Sequence, residues 1–338
     1  MQEIQNIFSQ FAGVLFNLES RLALGYLAAT VLMAYVIWRV RGRQKSFFSW
    51  LVPKEVYLHK SNLVDFKIFV FNFLMGAGGV FAAVTITPAV TIFLLNLLGM
   101  PIGGDTLTDS AAPTVFQIVA ATLIMILTMD FCTYWAHRLH HETRVLWPFH
   151  SVHHSAEIMT PLTVTRKHPV YVIIRSLIYS FIVGAAQALM LFLLMDKIDI
   201  YTIGTANVGY FLFNAFGANL RHSHIWLSYG PVVEHILISP AQHHIHHSKD
   251  TKHHNKNYGE VFAIWDLMFG SLYVIRHYED LTFGLADETG QLIEQPHPTL
   301  RAALINPFIE SWEALWAGTS RDPVEPRSSD ASETQGAG

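Results

Sequence analysis

Sixteen of the nineteen histidines in this 338-residue chain lie between His137 and His254, and many of them are three or four residues apart. Residues at that spacing share one face of a helix. Neutral imidazole is a common ligand of iron, copper and zinc. Eight aligned imidazoles in three clusters therefore predict one polynuclear metal site; they are His137 and His141, then His150, His153 and His154, and then His243, His246 and His247.

The composition is that of a membrane protein. Hydrophobic residues make up 51% of the chain and charged residues only 14%, whereas a soluble domain carries about 25% charged residues. We expect an all-α integral membrane protein, with a large soluble all-helical enzyme as the alternative. The net charge of −4, without a long basic run, argues against a nucleic-acid partner. The single cysteine, Cys132, excludes an intramolecular disulfide and a multi-cysteine metal site.

Five apolar segments predict about five transmembrane helices. They are Leu22–Trp38, a stretch within Phe66–Leu98, Val115–Tyr134, Tyr171–Met195 and Ile200–Phe216. The second stretch is long enough for one tilted span with an interfacial extension or for a tight hairpin. A single crossing puts the basic loops on one side and the acidic loop Gly103–Pro113 on the other, as the positive-inside rule favours. This places the N-terminus outside and every histidine cluster in the cytoplasm.

Four regions follow from this topology. Residues 1–110 hold the first spans and the external loop, and residues 111–278 form a catalytic core with a cytoplasmic helical cap. Residues 279–318 form a C-terminal cytoplasmic segment, with a short amphipathic helix within Pro296–Trp316. Residues 319–338, rich in Ser, Asp, Glu, Pro and Gly, are expected to be a disordered tail.

One helical face at the end of the third span carries Asp130, Tyr134, His137 and His141. The expected role of Asp130 is to accept a hydrogen bond from an imidazole N–H and so fix its tautomer. The alternative is a charge pair with Arg138 at the helix end.

Other charged or ionisable residues have open roles. His222, just after the fifth span, is an additional ligand candidate, and His224 is a weaker one. His140 and His244 point away from their clusters, so each is either a support for a ligand or a surface residue. His168 either supports a ligand or meets a lipid headgroup, while His235, His253 and His254 belong either to the site or to the surface; His59, His277 and His297 are treated as ordinary. Arg175 either reaches to the membrane interface or contacts a lipid headgroup.

At these residues the chain resembles the fatty acid hydroxylase and sterol desaturase superfamily, over about Val115 to Tyr273. The resemblance rests on Asp130-Phe-Cys-Thr-Tyr-Trp-Ala-His-Arg-Leu-His-His141, His150-Ser-Val-His-His154, Ser239-Pro-Ala-Gln-His-His-Ile-His-His247 and Asn257-Tyr-Gly-Glu-Val-Phe-Ala-Ile-Trp-Asp-Leu-Met-Phe-Gly270. It implies a membrane-embedded helical bundle with a cytoplasmic di-iron centre. The eight clustered histidines and His222 would be the ligands. Where many members have Asn, this chain has His224, which leaves the role of His224 open.

The resemblance also implies O2-dependent hydroxylation of a lipid C–H bond by two iron ions, for which zinc can substitute in purified protein. Asp130 and Asp266 would supply negative charge near the ligands; a structural hydrogen bond near the turn at Gly270 is the alternative for Asp266. The chain has neither a dinucleotide fingerprint nor cysteines for an iron–sulfur cluster. A separate ferredoxin, cytochrome or reductase must therefore donate the electrons. The expected location is a bacterial inner membrane.

Two other activities stay open. Desaturation, or cleavage of an ether lipid, would use the same centre, and the histidine spacing does not separate these from hydroxylation. A metal transporter is the more distant alternative, but transporters place their polar ligands near the middle of the membrane. Here the clusters lie at and beyond the ends of the spans.

Overall fold

The computed structural model describes residues 22–42, 45–100, 114–194, 217–287 and 290–316, together with a few positions before residue 22. Within these residues every extended regular element is a helix, and the only β-structure is three isolated bridges. The all-helical prediction is confirmed. The predicted fifth span, the loop Gly103–Pro113 and the tail 319–338 lie outside the described residues.

Twelve α-helices follow one another along the described part of the chain. In order they are α1 (Leu24–Val40), α2 (Phe47–Leu51), α3 (Lys54–Tyr57), α4 (Lys60–Ala77), α5 (Val80–Ala83), α6 (Thr87–Leu97), α7 (Val115–Glu142), α8 (Trp147–His154), α9 (Pro169–Leu194), α10 (Pro240–His246), α11 (Ile264–Phe269) and α12 (Leu300–Trp316). Short 3₁₀ turns connect some of them, notably Pro161–Thr165 and Ala218–His222.

Three described segments are long and apolar enough to cross a membrane. They are Val80–Leu97, which contains α5 and α6, and the helices α7 and α9. The apolar helix α1 is shorter, with 17 residues. The apolar stretch within Phe66–Leu98, which predicts the second span, is divided at Gly79. The φ of Gly79 is 79°, in the left-handed region that glycine adopts without strain. The chain therefore turns between α4 and the apolar segment that follows it.

The three apolar segments pack together, with α9 in contact with both α6 and α7. Thr87 of α6 hydrogen-bonds Ser180 of α9, and Thr91 one turn later bonds Gln187, so α6 and α9 run parallel. Thr133, near the end of α7, bonds Arg175, near the start of α9, so these two run antiparallel. The end of α7 and the start of α9 therefore lie at the same end of the bundle.

That end of the bundle also holds the helices outside the apolar segments. Asn72 of α4 donates to the carbonyl of Lys167, just before α9 begins, so α4 lies beside the start of α9. The end of α1 packs against the turn that follows residue 217, through Ala34 and Leu220. The basic residues Arg41, Arg138 and Arg166 thus share one end of the bundle with the histidine clusters.

A buried ion pair joins α4 to α8. Arg166 and Asp65 are both completely buried, with 2.8 Å between Nη1 and the carboxylate. Arg166 also donates to the Val152 carbonyl and to Ser155 Oγ, at the end of the helix that carries the second histidine cluster. The hydroxyl of Thr163 donates to the other Asp65 oxygen at 2.7 Å. The position of α8 therefore depends on a charge that α4 supplies.

We predict that Asp65→Asn destabilises the protein by about 3–5 kcal/mol, because it leaves the Arg166 guanidinium buried without a counter-charge. Thermal unfolding of the detergent-solubilised chain, followed by tryptophan fluorescence, measures this as a lower midpoint. Asp280→Asn is the matched control, because Asp280 is exposed and the same substitution there should leave the midpoint almost unchanged. Equal midpoints for the two variants would contradict the structural importance of the pair.

Candidate metal centre

Four segments present the nine histidines predicted as ligands. The last two turns of α7 carry His137 and His141, and α8 carries His150, His153 and His154. The helix α10 carries His243 and His246 and is followed at once by His247, while His222 ends the turn Ala218–His222. Local sequence sets these positions: α8 opens with Pro148 in its first turn, and α10 opens with a capping box between Ser239 and Gln242.

The structure brings the nine imidazoles together in two groups. One group has five members, His137, His141, His150, His154 and His246; the other has four, His153, His222, His243 and His247. Within each group, one ring nitrogen per residue lies within 4.8 Å of all the others. His154 and His247 stack with their ring centroids 4.4 Å apart, so the two groups are adjacent.

The distances between ring nitrogens suit metal ligation. Nε2 of His222 lies 3.2 Å from Nε2 of His153 and 3.1 Å from Nε2 of His243, which lies 3.1 Å from Nε2 of His247. Two nitrogens that each bind one ion at about 2.1 Å, at right angles, would be about 3.0 Å apart. In the five-membered group, Nε2 of His141 and of His246 are buried and have no hydrogen-bond partner among the described residues. The donor set therefore fits two metal ions.

Burial favours the neutral form of an imidazole. It lowers the pKa of His246 to about 4. Burial, followed by repulsion from neighbouring histidines, also lowers the pKa of His154 and His247 well below the usual 6.5. A metal ion binds only the deprotonated ring nitrogen. The pocket therefore presents its ligands in the form that a metal requires.

Two backbone carbonyls orient two of the rings. Nδ1 of His137 is 2.8 Å from the carbonyl oxygen of Tyr258, and Nδ1 of His246 is 2.8 Å from that of Lys256. A carbonyl only accepts, so both Nδ1 atoms carry the proton and both Nε2 atoms are left as ligands. One loop, residues 256–262, thus fixes the tautomer of ligands from two different helices.

Two carboxylates hold this loop in place. Asp130 accepts from the backbone N–H groups of Val261 and Phe262 and from the indole of Trp265, at 2.9–3.0 Å. Asp266 accepts from the backbone N–H groups of Tyr258 and Gly259, both at 2.8 Å, and from Ser271 Oγ. Burial raises the pKa of Asp266 to about 6, so it is mostly ionised at neutral pH.

These hydrogen bonds correct two sequence-based expectations. The sequence predicts that Asp130 accepts a hydrogen bond from an imidazole, and this is wrong. Asp130 instead binds the backbone of the loop whose Tyr258 carbonyl bonds His137. Its alternative pairing with Arg138 is also wrong, because Arg138 pairs with Glu142 at 3.0 Å. For Asp266, the alternative is a structural hydrogen bond near the turn at Gly270, and its bond to Ser271 agrees with this alternative.

Gly259 allows the loop to come this close to its anchors. A Cβ atom at this position would lie 2.6 Å from the Phe262 carbonyl oxygen and 2.8 Å from a carboxylate oxygen of Asp266. No side chain fits at these distances, so only glycine is sterically allowed at this position of the Asn-Tyr-Gly sequence.

Most of the remaining histidines have structural roles outside the two groups. His224 bonds the Trp50 carbonyl, His244 the Leu220 carbonyl and His140 the Ala136 carbonyl. His168 bonds the Leu304 carbonyl, and His253 is buried 3.2 Å from Glu279. His235 and His254 are exposed. Arg175 lies 4.0 Å from Glu260, an ion pair that neither sequence-based interpretation of this arginine anticipated.

Sequence reasoning missed several residues that position the ligands. Asp65 and Arg166 hold α8, as described above. Glu234 is completely buried and accepts from Ser239 Oγ, the cap of α10, and from the backbone N–H of Ile275. His297, treated as ordinary, is buried with its Nε2 3.3 Å from Ser151 Oγ of α8. Only the low overall charge offered a signal, since charged residues that remain in such a chain often have partners.

The comparisons with known proteins agree with this geometry. A model of the fatty acid hydroxylase family matches residues 122–271. Alkylglycerol monooxygenase of Danio rerio is 26% identical over 211 residues, which are 60% of this chain and 43% of that protein. Ornithine lipid hydroxylase OlsE of Rhizobium tropici is 30% identical over 165 residues, 48% of this chain and 43% of that protein. Lathosterol oxidase of Mus musculus is 27% identical over 190 residues, 54% of this chain and 55% of that protein.

The chain spans less than half the length of the first two of these relatives. No solved structure matches it significantly. The family match runs from within α7 to just beyond α11 and includes all nine histidines of the two groups. Residues 122–271 therefore match a fatty acid hydroxylase domain, and the relatives that the chain resembles are of the same superfamily of fatty acid hydroxylases and sterol desaturases.

Proposed function

We propose that this protein is a membrane-bound, O2-dependent hydroxylase of a lipid C–H bond, with two iron ions held by the nine grouped histidines. The observation that carries the proposal is the convergence of nine imidazoles, most of them buried, in two adjacent groups. The relatives support the class of substrate, because one is named a lipid hydroxylase and others are monooxygenases or oxidases of lipids.

The bound iron would supply the activation of O2 and the oxidation of the C–H bond, which no side chain of the chain can perform. The protein positions the ligands and excludes water from the pocket. The Tyr258 and Lys256 carbonyls hold His137 and His246 in one tautomer, and burial of the rings excludes water from the pocket. Electrons are expected from a separate ferredoxin, cytochrome or reductase.

The site lies at the end of the helical bundle rather than at its middle. His137 and His141 are in the last turns of α7, and His150 stacks on Tyr171, in the first turn of α9. We place this end on the cytoplasmic side of a bacterial inner membrane, where an apolar substrate enters sideways from the bilayer. The position also argues against a metal transporter, whose ligands belong near the membrane midplane.

A second reaction on the same centre is cleavage of an ether lipid. Alkylglycerol monooxygenases are prominent among the relatives, including that of Homo sapiens, 30% identical over 145 residues. Oxidation of the carbon beside an ether oxygen is the same C–H hydroxylation, so the geometry serves both reactions. Desaturation remains the alternative that the sterol relatives favour.

The metal prediction uses one histidine from each group. His246→Ala and His153→Ala should each lower the iron bound per chain, because each removes a ligand from one of the two groups. Elemental analysis of protein purified from iron-supplied cells measures this. His254→Ala is the matched control, since His254 is exposed and outside both groups. Wild-type iron content in both site variants would exclude the ligand assignment.

The reaction prediction concerns the product. Membranes containing the protein, supplied with O2, NADH and an added reductase system, should convert a lipid into a product heavier by one oxygen atom. Mass spectrometry of the extracted lipids decides the outcome, and His246→Ala membranes are the control. A product lighter by two hydrogen atoms would instead establish desaturation, and metal uptake into vesicles without lipid turnover would establish transport.

A further prediction concerns the loop that orients His137 and His246. Asp266→Ala removes the acceptor that fixes the Tyr258 and Gly259 N–H groups but leaves every imidazole in place. We expect iron to be lost to a chelator about 10–100-fold faster, as for other residues that orient metal ligands. Asp280→Ala, an exposed aspartate, is the control. An unchanged release rate in folded Asp266→Ala protein would show that the loop does not fix the ligands.

A further inference from the structure

The helix α12 has an unusual surface: after Arg301, all of its exposed positions are large and apolar. Their exposed fractions range from 49% to 72%, and the residues are Ile305, Phe308, Ile309, Trp312, Leu315 and Trp316. They recur at intervals of three and four residues, so they form one continuous stripe. The polar residues Asn306, Glu310 and Glu313 are only partly exposed. A helix in water presents the reverse pattern.

The opposite face of α12 is fixed against the protein, so the stripe cannot turn inward. Ala303 and Pro307 are buried, and Ala303 packs in a cluster with Val64 and Ile68 of α4 and Val152 of α8. Ser311 Oγ donates to the Val145 carbonyl at 2.8 Å, which holds the second half of the helix. An unpartnered stripe of this size marks a surface that something apolar covers.

The position of α12 indicates what covers it. Nε2 of His168 is 3.2 Å from the carbonyl oxygen of Leu304, and the Phe308 ring lies 5.3 Å from the His168 ring. His168 directly precedes Pro169, where the apolar helix α9 begins. The first half of α12 therefore lies at the level at which a membrane-crossing helix leaves the cap. The end of a membrane-crossing apolar helix lies at the interface between lipid headgroups and acyl chains.

We infer that α12 is an interfacial helix that lies on the bilayer, with its apolar stripe inserted among the lipids of the same membrane that α9 crosses. Trp312 and Trp316, whose rings are 5.5 Å apart, are of the type that prefers this depth. A helix that carries Pro307 and two glutamates and packs one face on protein is suited to lie in the interface rather than to cross the membrane.

The charges of α12 predict which lipids it needs. Arg301 is its only basic residue, and Glu310 and Glu313 are acidic. Attraction to anionic headgroups therefore contributes little, and apolar burial supplies the binding. Contact with the bilayer should be the same on neutral and anionic membranes and should not weaken at high salt.

This inference goes beyond the proposed reaction and does not depend on the metal. Phe149 of α8 lies 5.2 Å from Phe308, and Val152 packs on Ala303, so α12 is attached to the helix that carries the second histidine cluster. Insertion of α12 would fix the depth of that cluster relative to the bilayer.

The test places single nitroxide labels on the full chain in phosphatidylcholine nanodiscs. Cys132, the only native cysteine, is buried, and wild type treated with the same labelling reagent establishes the background. Ile305, Ile309, Trp312 or Leu315 is replaced by cysteine and labelled, one position at a time. No single misfolded variant then decides the result. Thr251, exposed in the cap, is the aqueous reference, and Phe181, 56% exposed on α9, is the lipid reference.

Collision rates with O2, which concentrates in lipid, and with a water-soluble nickel complex are measured by electron paramagnetic resonance. We expect the ratio of O2 to nickel collisions at the α12 positions to match that at Phe181 and to exceed that at Thr251. Addition of phosphatidylglycerol or of salt should leave it unchanged.

Two outcomes would overturn the inference. Ratios equal to that at Thr251 would show that the stripe faces water. Labels that are immobilised and protected from both reagents would show that protein, such as a second copy of this chain, covers it. Lipid turnover and iron content, measured on the same samples, separate a failure of this inference from a failure of the proposed function.

Discussion

The structure depends on the packing of nine imidazoles, most of them buried, in one place. A buried ring nitrogen without a partner costs free energy, and repulsion between protonated rings at these distances would be larger still. The fold meets this constraint in two ways. It excludes water so that the rings stay neutral, and it turns one nitrogen of His137 and of His246 toward a backbone carbonyl. The nitrogens that face one another are left for metal ions, whose charge would stabilise the whole arrangement.

The charged groups that support this centre bind the segments that carry or orient the histidines. Asp130 and Asp266 bind backbone N–H groups of the loop 256–262, Arg166 binds the end of α8, and Glu234 binds the cap of α10. Each carboxylate or guanidinium is satisfied by hydrogen bonds where it lies. The candidate ligands are therefore imidazoles alone, unlike the glutamate-rich shells of soluble di-iron bundles. Rigid support of this kind is what a metal site requires to keep its geometry.

The relation to the membrane follows from where the ligands lie. The histidine layer closes one end of a bundle that contains the apolar segments α6, α7 and α9. The relatives act on ornithine lipids, alkylglycerols and sterols according to their names.

The sequence by itself determined the helical class, the clusters and the identity of the nine grouped histidines, because helical periodicity and the spacing of ligands are local properties. It also predicted a helix within Pro296–Trp316, which the structure has as α12. Only the tertiary structure decided how the histidines divide into five and four, since that division pairs rings from four segments far apart in the chain. The roles of Asp130, Asp65 and Arg166 were likewise beyond the sequence, because a carboxylate in a pattern does not reveal which distant N–H group or guanidinium will reach it. Long-range contacts of this kind arise only when the whole chain has packed.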